Sequence, residues 1–444
     1  MVITRFSPSP TGNIHVGNIR TALINYLFTK VKGGKFILRM DDTDPKRSKA
    51  EYTESITADL KWLGIEWDEF YKQSDKLAYY AEVKEKLIAD GKVYPCFETE
   101  EELALKRKSQ LSRGVPPLYD RASLKLSEAE QQAKIAAGII PHYRFKLDDA
   151  PVSWTDGIRG KISFKERAFS DPVVFRADGS PTYTFCSVID DIDLAVTDVI
   201  RGEDHISNTA VQIQIFRALT DKLPNFHHLS LLKTREGEIS KREGGFEVRA
   251  LQKNGVHPQA INSLLSRLGS SLNVEPVKEL ADLTENFAMS NFSHSAIIYD
   301  ERDILRLNQK LLAEQNFAEA QPFLQELNIK VDQDFWESVK ANINSYLQVA
   351  EWQQIFAGDF KVAFTKEEQQ FLQDAAATLP VQLNPENFKD WIKSVTEKTG
   401  KKGKELFHPL RLALTGQDSG PELSKIAPLL GDQEVKQRLT NFDE

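Results

Sequence analysis

The stretch that most narrows the possible folds opens the chain: Phe6-Ser-Pro-Ser-Pro-Thr-Gly-Asn-Ile-His-Val-Gly-Asn-Ile-Arg20. Val2 to Phe6 reads as a short apolar strand. The Pro/Gly turn over Ser7 to Gly12 lets neither strand nor helix continue. From His15 onward the pattern becomes helical, with Ile19, Leu23, Tyr26 and Leu27 on one apolar face. Strand, tight turn and helix start thus follow one another directly. A helix start presents free N–H groups and the positive end of a dipole, which suits a phosphate. His15 and Gly17 fall in that first turn. His15 can donate to phosphate oxygens, and Gly17 puts no side chain between the backbone and a flat ring. Taken alone, such a turn is more often plain connection, and a single His more often surface or core.

A matching partner lies far downstream. Glu238-Ile-Ser-Lys-Arg-Glu-Gly-Gly245 follows an apolar run, His227 to Leu232, that reads as a strand, and a polar turn, Thr234 to Gly237. Lys241 and Arg242 sit in this Gly-containing loop. Two cations on a loop can close over a triphosphate and stabilise charge that develops during nucleotidyl transfer. By itself the segment also fits a solvated basic loop.

Together the two stretches resemble the signature pair of class I aminoacyl-tRNA synthetases, His15-Val-Gly-Asn18 and Ile239-Ser-Lys-Arg242. The flanks narrow the resemblance to bacterial-type glutamyl-tRNA synthetases. They are Arg5-Phe-Ser-Pro-Ser-Pro-Thr-Gly12, Arg39-Met-Asp-Asp-Thr-Asp44, Asp190-Asp191, Val199-Ile-Arg-Gly-Glu-Asp-His205 and, near the C-terminus, His408-Pro-Leu-Arg-Leu-Ala-Leu-Thr-Gly416. The likeness runs end to end.

The 444 residues allow roughly two to four domains. No run of about 18 apolar residues exists, so no membrane span is expected. The chain enters a strand at once without a basic-then-apolar leader, which reads as cytoplasmic. Its two cysteines, Cys96 and Cys186, lie far apart and cannot build a zinc cluster by themselves. Some relatives carry a Cys-rich zinc site near Cys96, but no second Cys is near it here, so no zinc is expected. The net charge of −8 argues mildly against a nucleic-acid partner. Local basic clusters carry more information for an enzyme that grips RNA with one face.

Gly34 to Met40 reads as a second buried strand, ending in the acids Asp41, Asp42 and Asp44. Ligands bind at such strand ends in doubly wound sheets, so Asp41 could meet an ammonium, while Asp44 suits a helix N-cap. Glu51 to Leu63 and Leu77 to Asp90 are amphipathic helices, and alternation with strands indicates a parallel α/β sheet. From 93 to 178 the texture is mixed and reads as an α+β insertion. Lys106, Arg107, Lys108 and Arg113 make it locally basic, as an RNA contact or as a solvated helix face. Thr182 to Val188 is read as a strand with Tyr183 and Ser187 on one face, ended by Asp190 and Asp191, and Val196 to Ile200 as another, ended by Arg201. Arg5 and Arg201 would then end neighbouring strands. A buried Arg is costly without an anion, and two suit a dicarboxylate such as glutamate, gripped bidentately. The other reading is an internal pair with Asp191 or Asp204. Beyond about residue 300 the pattern is wholly helical, an all-α domain with a basic run that includes Lys401 and Lys402.

The expected fold is therefore a Rossmann-like doubly wound sheet in two halves (1–92 and 179–300), split by an insertion at 93–178 and followed by a helical domain at 301–444. The resemblance implies a monomeric ligase that joins L-glutamate to ATP and then to the terminal adenosine of tRNA(Glu), with Mg²⁺ accompanying ATP. It assigns His15 and Lys241 to catalysis, and Gly17, Asn18 and Arg242 with them to ATP. It assigns Arg5, Ser7, Asp41, Tyr183, Ser187 and Arg201 to glutamate. The acceptor end of tRNA falls to the insertion, including Lys106 and Arg107, and the anticodon arm to Trp352, Gln353, Lys401 and Lys402. Relatives strict for tRNA(Glu) tend to have Arg where Gln353 stands, which opens a relaxed reading that includes tRNA(Gln). The family usually has Glu at position 41, Asn at 187, Lys at 238, and Gly or His at 18. Three competing readings are a glutamine-charging relative, a paralogue that glutamylates a tRNA base, and a dead RNA-binding module. The all-α C-terminus opposes the first, the anticodon domain the second, and the presence of both His15 and Lys241 the third.

Overall fold

The computed structural model describes residues 1–235, 237–238, 247–358 and 360–442. It divides into two compact units. The first comprises Met1–Val248, Leu265–Val274 and Glu279–Tyr299, and the second Arg249–Leu264, Glu275–Lys278 and Asp300–Glu444.

The first unit starts with β1 (Ile3–Phe6), α1 (Val16–Val31), β2 (Lys35–Met40), α2 (Ala50–Trp62) and β3 (Glu69–Lys72). These three strands are parallel, with Ile3 opposite Lys35 and Ile37 opposite Glu69. β2 is Lys-Phe-Ile-Leu-Arg-Met, buried at every residue but the first. Such an unbroken buried run is what a parallel strand covered on both faces requires. After α3 (Leu77–Ala89) come β4 (Val93–Cys96), α4 (Glu100–Ser112), α5 (Glu128–Ala136), β5 (His142–Phe145), β6 (Val152–Asp156), β7 (Gly160–Phe164) and β8 (Val173–Phe175). α6 (Tyr183–Asp193), β9 (Asp198–Gly202), α7 (Ile206–Leu219), β10 (Asn225–Leu229) and β11 (Leu232–Thr234) follow.

β9, β10 and β6 run parallel to one another, and β7 closes that edge antiparallel to β6. β9 lies beside β1, joined by Thr197 N donating to the Ile3 carbonyl at 2.9 Å. The strand order across the unit is thus β3-β2-β1-β9-β10-β6-β7, and the winding reverses between β1 and β9. This is the doubly wound, Rossmann-like sheet that was expected. Its switch point is where open α/β sheets bind ligands.

Several local expectations change. Residues 182–188 are not a strand: Tyr183–Asp193 is helix α6. Phe185, Val188, Ile189 and Ile192 recur at helical spacing and carry the buried face, which overrides the β preference of Tyr, Thr and Phe. Asp190 and Asp191 therefore lie within a helix. β9 starts and ends two residues later than expected, which keeps Arg201 inside the strand. The expected β strand at 227–232 is two strands, β10 and β11. Asp44 does not cap α2, whose N-cap is Lys49. It closes a tight turn instead, accepting from Lys46 N at 3.1 Å and Arg47 Nε at 2.7 Å. The strands of 93–178 go to two sheets. β4, β5 and β8 form their own sheet, but the β6–β7 hairpin joins β10.

The second unit is helical: Glu301–Glu314, Phe317–Glu326, Gln333–Val339, Leu347–Phe356, Lys366–Ala376, Phe388–Thr399, Lys404–Thr415, Leu423–Leu430 and Asp432–Thr440. Capping boxes start two of these, Asn316 with Glu319 and Thr365 with Glu368. Among the described residues no strand follows Ile298. Trp336, Tyr346 and Trp391 anchor its cores. No helix among the described residues is long and apolar enough to cross a membrane.

Candidate active site

A cavity of about 510 Å³ opens at the switch point. The end of β1 and its turn form one wall, the start of α1 a second, and the ends of β9 and β10 a third. Arg5, Ser7, His15, Gly17, Asn18, Tyr183 and Arg201 all line it. Asp41 and Ser187 do not. The 5–20 stretch and the 199–205 stretch, about two hundred residues apart, meet here because they lie at the ends of the neighbouring strands β1 and β9 and at the start of the helix that follows β1.

One wall of the cavity is built on α1. His15 is its N-cap, with Nδ1 accepting from Gly17 N at 3.1 Å. Nδ1 is therefore bare of hydrogen, and Nε2 carries the proton of the neutral ring. Asn18 completes a capping box, its Oδ1 accepting from His15 N at 3.3 Å. This accounts for Asn at a place the family fills otherwise. A methyl group at Gly17 would lie 2.9 Å from His15 Cε1, so glycine is what lets the ring sit there. Deeper in the wall, Arg20 is buried, and burial pushes its guanidinium down to about 10. It donates to the carbonyls of Ser230 (2.9 Å) and Leu268 (3.0 Å), tying α1 to the segment after β10.

Lys241 and Arg242 lie outside the described residues. Both flanks of their loop are held beside the cavity. On one side Lys233 of β11 pairs with Glu238 of the short strand β12 (Gly237–Glu238). On the other, Glu247 bridges to His15, and its carboxylate accepts from Asn13 Nδ2 at 3.0 Å.

The opposite wall holds the arginines, and they differ. Arg5 Nε and Nη2 donate to Asp191 at 3.1 and 3.3 Å, so the internal pair is the arrangement found. Beneath it, Arg39 donates to Asp191 at 2.8 Å and to Asp41 at 2.8 Å, and lies 3.6 Å from Asp190. Asp41 is thus folded back onto Arg39, away from the cavity, and burial pushes its carboxyl up to about 6. Burial also raises Asp191, but the Arg5 and Arg39 guanidiniums outweigh it and hold that carboxyl below its ordinary value. Ser187 turns inward too, its hydroxyl donating to the Tyr183 carbonyl at 2.7 Å. Neither short replacement, at 41 or 187, reaches the cavity.

Arg201 is different. It is 6% exposed and, among the described residues, makes hydrogen bonds only to neutral groups: Tyr183 Oη at 3.1 Å, Thr209 Oγ1 at 2.6 Å and Gln212 Oε1 at 2.7 Å. Because Arg201 donates to the Tyr183 oxygen, the phenol hydrogen is left for another acceptor. Ser7 Oγ is buried on the same cavity, without a partner among the described residues. Burial first, and the Arg201 charge second, push His205 down to about 4, so its imidazole is neutral there. A buried guanidinium bonded to neutral groups among the described residues, a phenol and a hydroxyl are chemistry that can take a carboxylate.

Sequence reasoning did not find Thr209, Gln212, His228 or Asp156, which stand behind Arg201. Their one signal was a His inside the apolar run of β10. Elsewhere, Lys106 is taken up by Glu98 (3.4 Å) and Asp120 (3.1 Å), while Arg107 is exposed. Lys401 pairs with Glu367 at 3.2 Å, and Lys402 is exposed. Trp352 is a core residue of the helical unit. Its neighbour Gln353 donates to the Lys330 carbonyl at 2.7 Å and edges an open hollow with Phe335. Cys96 accepts from the Tyr119 hydroxyl at 3.6 Å, and burial pushes its thiol up to about 11. Among the described residues, no group of three or more His, Cys, Asp or Glu side chains is placed to hold a metal ion.

Residues 1–306 match the family described as tRNA synthetases class I (E and Q), catalytic domain, and residues 279–442 match the anticodon binding domain. The chain is 48% identical over 443 residues to glutamate–tRNA ligase 1 of Rickettsia felis (strain ATCC VR-1525 / URRWXCal2), covering 99% of both. It is 49% identical over 443 residues to glutamate–tRNA ligase 1 of Rickettsia prowazekii (strain Madrid E), again covering 99% of both. A solved glutamate tRNA ligase from Elizabethkingia meningosepticum CCUG26117, in complex with its amino acid, superposes with a TM-score of 0.84 at 27% identity, over 99% of this chain and 98% of that one. Sheet, motifs and relatives agree from end to end, and the chain belongs to the glutamate–tRNA ligases, class I aminoacyl-tRNA synthetases.

Proposed function

We propose that this chain attaches L-glutamate to tRNA(Glu) in two steps, and that Arg201 is the residue that selects the glutamate side chain. The glutamate α-carboxylate attacks the α-phosphate of ATP in line and releases pyrophosphate, giving glutamyl-adenylate. The 2′-hydroxyl of the terminal adenosine of tRNA then takes the glutamyl group. His15 Nε2 and the α1 N-terminus hold phosphate. Lys241 and Arg242 neutralise charge as it develops, and Mg²⁺ enters with ATP. Positioning and electrostatics suffice, so no side-chain nucleophile is required.

One observation carries the amino-acid reading. Among the described residues, two buried guanidiniums on the cavity wall, Arg20 and Arg201, bond only neutral groups; Arg20 is held by the Ser230 and Leu268 carbonyls, Arg201 stands beside the Tyr183 phenol, and Arg5 is paired with Asp191. The carboxylate of a glutamate side chain supplies the missing anion. Tyr183 Oη and Ser7 Oγ complete its contacts. Asp41 and Ser187 then act behind the site and touch no ligand. Exposed Arg107 and Lys402 meet tRNA phosphates, with Lys106 and Lys401 beside them and Gln353 at the anticodon. The relatives named above give no support to charging of tRNA(Gln).

The test is attachment of labelled glutamate to tRNA(Glu) and tRNA(Gln) transcripts with ATP and Mg²⁺. Glutamate on the first transcript alone is expected. Charging of neither overturns the proposal, and charging of the second transcript overturns its specificity.

A further inference from the structure

Behind Arg201 a single file of hydrogen bonds runs into the protein. Arg201 Nη2 donates to Thr209 Oγ1 at 2.6 Å. Thr209 Oγ1 lies 2.8 Å from His228 Nε2, and His228 Nδ1 lies 2.5 Å from Asp156 Oδ2. Thr209 and His228 are wholly buried, and Asp156 is 2% exposed. The residues come from α7, β10 and the end of β6, so three elements converge on one guanidinium.

The chemistry fixes the direction of every bond. Asp156 Oδ1 accepts from the N–H groups of Ile158 (3.1 Å), Arg159 (3.1 Å) and His228 (3.2 Å). Burial raises Asp156, but its bond to His228 and these N–H groups outweigh that and hold it at about 2, so it is a carboxylate. A carboxylate only accepts, so His228 Nδ1 carries the hydrogen. Burial lowers the His228 pKa, which keeps the ring neutral and leaves Nε2 an acceptor. Thr209 has one hydrogen and gives it to Nε2, in preference to the more distant His205 carbonyl at 3.2 Å. The Thr209 lone pairs then face Arg201. Gln212 Oε1 accepts from the same Nη2 as Thr209, and Tyr183 Oη accepts from Nη1.

Close packing of these elements does not call for this polar file, since apolar residues of similar size are often tolerated in place of buried polar groups. What the file does is point an acceptor at one nitrogen of Arg201 and so fix the plane of its fork. We propose that Asp156, His228 and Thr209 are positioning residues for Arg201, setting the guanidinium in the orientation that receives the substrate side-chain carboxylate. This rests on the reading of Arg201 as the carboxylate receptor.

The experiment compares Thr209→Val, which keeps shape and loses both bonds, with Thr209→Ser, which keeps the hydroxyl, in the full-length enzyme with saturating tRNA(Glu). Thr209→Val is expected to raise KM for glutamate about tenfold, the effect of roughly one lost hydrogen bond. KM for ATP and kcat at saturating glutamate stay within about twofold, because the contact acts equally in ground and transition states. Thr209→Ser restores KM, and discrimination against glutamine falls in Thr209→Val alone. Unchanged KM for glutamate in Thr209→Val, or an equal rise for ATP, overturns the proposal. Arg201→Met separates the two claims. If it leaves KM for glutamate unchanged, the receptor reading fails. If it raises KM while Thr209→Val does not, the positioning file alone fails. Should Thr209→Val not fold, Asp156→Asn gives the same decision, since the amide can no longer dictate the His228 tautomer.

Discussion

Asp191 serves two guanidiniums at once, Arg5 Nε at 3.1 Å and Arg39 Nη1 at 2.8 Å, while only 4% of its side chain is exposed. Removing such a shared partner leaves buried positive charge uncompensated, at a typical cost of about 3–5 kcal/mol. Asp191→Ala is therefore expected to lower the urea unfolding midpoint sharply. Asp44→Ala, which breaks a surface pair with Arg47, is expected to leave it in place. Equal midpoints for the two variants would show that the Arg5–Arg39–Asp191 cluster contributes nothing net. The two arginines at the cavity show how much of the site could be read beforehand. Both stand near strand ends, and the choice between a substrate carboxylate and an internal acid was open. It turns on α6: as a helix, that segment brings Asp191 under Arg5, while Arg201, among the described residues, bonds Tyr183, Thr209 and Gln212. Asp41 and Ser187 were placed at the site by motif position. Their side chains are shorter than the family's usual Glu and Asn, and each is satisfied by a nearer partner.

At the scale of elements, α1 was legible because its turn, cap and apolar face follow one another in sequence. α6 was not, because Tyr-Thr-Phe-Cys favours a strand locally and only tertiary burial decides the period. The cap of α1 makes a sharp prediction. Gly17→Ala would put a methyl group 2.9 Å from His15 Cε1 and 3.0 Å from its Nδ1, so the imidazole must leave the helix end. The bond from Gly17 N to Nδ1 is then lost, at roughly 1 kcal/mol for a helix cap. The Nε2–H, proposed above to hold phosphate, moves with the ring. KM for ATP is expected to rise about tenfold with KM for glutamate unchanged, on the scale of one contact to a charged group. A variant with both constants unaltered would remove the His15 cap from the phosphate site.

At the scale of the molecule, the parallel first half and the helical C-terminal region were both visible as period and spacing. The attachment of the β6–β7 hairpin was not, because it hangs on a pairing between Phe226 and Asp156, far apart in sequence. Nor was the grouping of 249–264 with the helical unit. That second unit carries a built-in sensitivity to acid. His257 is 8% exposed, its Nδ1 accepts from Gln259 N at 3.1 Å, and its ring packs 4.5 Å from that of Phe323. Burial pushes its pKa from 6.5 down to about 4. Between those values the unfolded chain binds a proton that the folded unit refuses. The stabilisation is therefore complete above pH 6.5 and is lost as pH falls toward 4, by about 3 kcal/mol in all. His257→Asn keeps a side chain able to accept from Gln259 N and removes the titration. At pH 7.5 the variant is expected to be less stable than the parent, since the smaller side chain packs less well against Phe323. Toward pH 4 that deficit should shrink or reverse. Parallel stability curves for the two proteins across this range would mean that His257 is protonated in the folded state and that the acid sensitivity lies elsewhere.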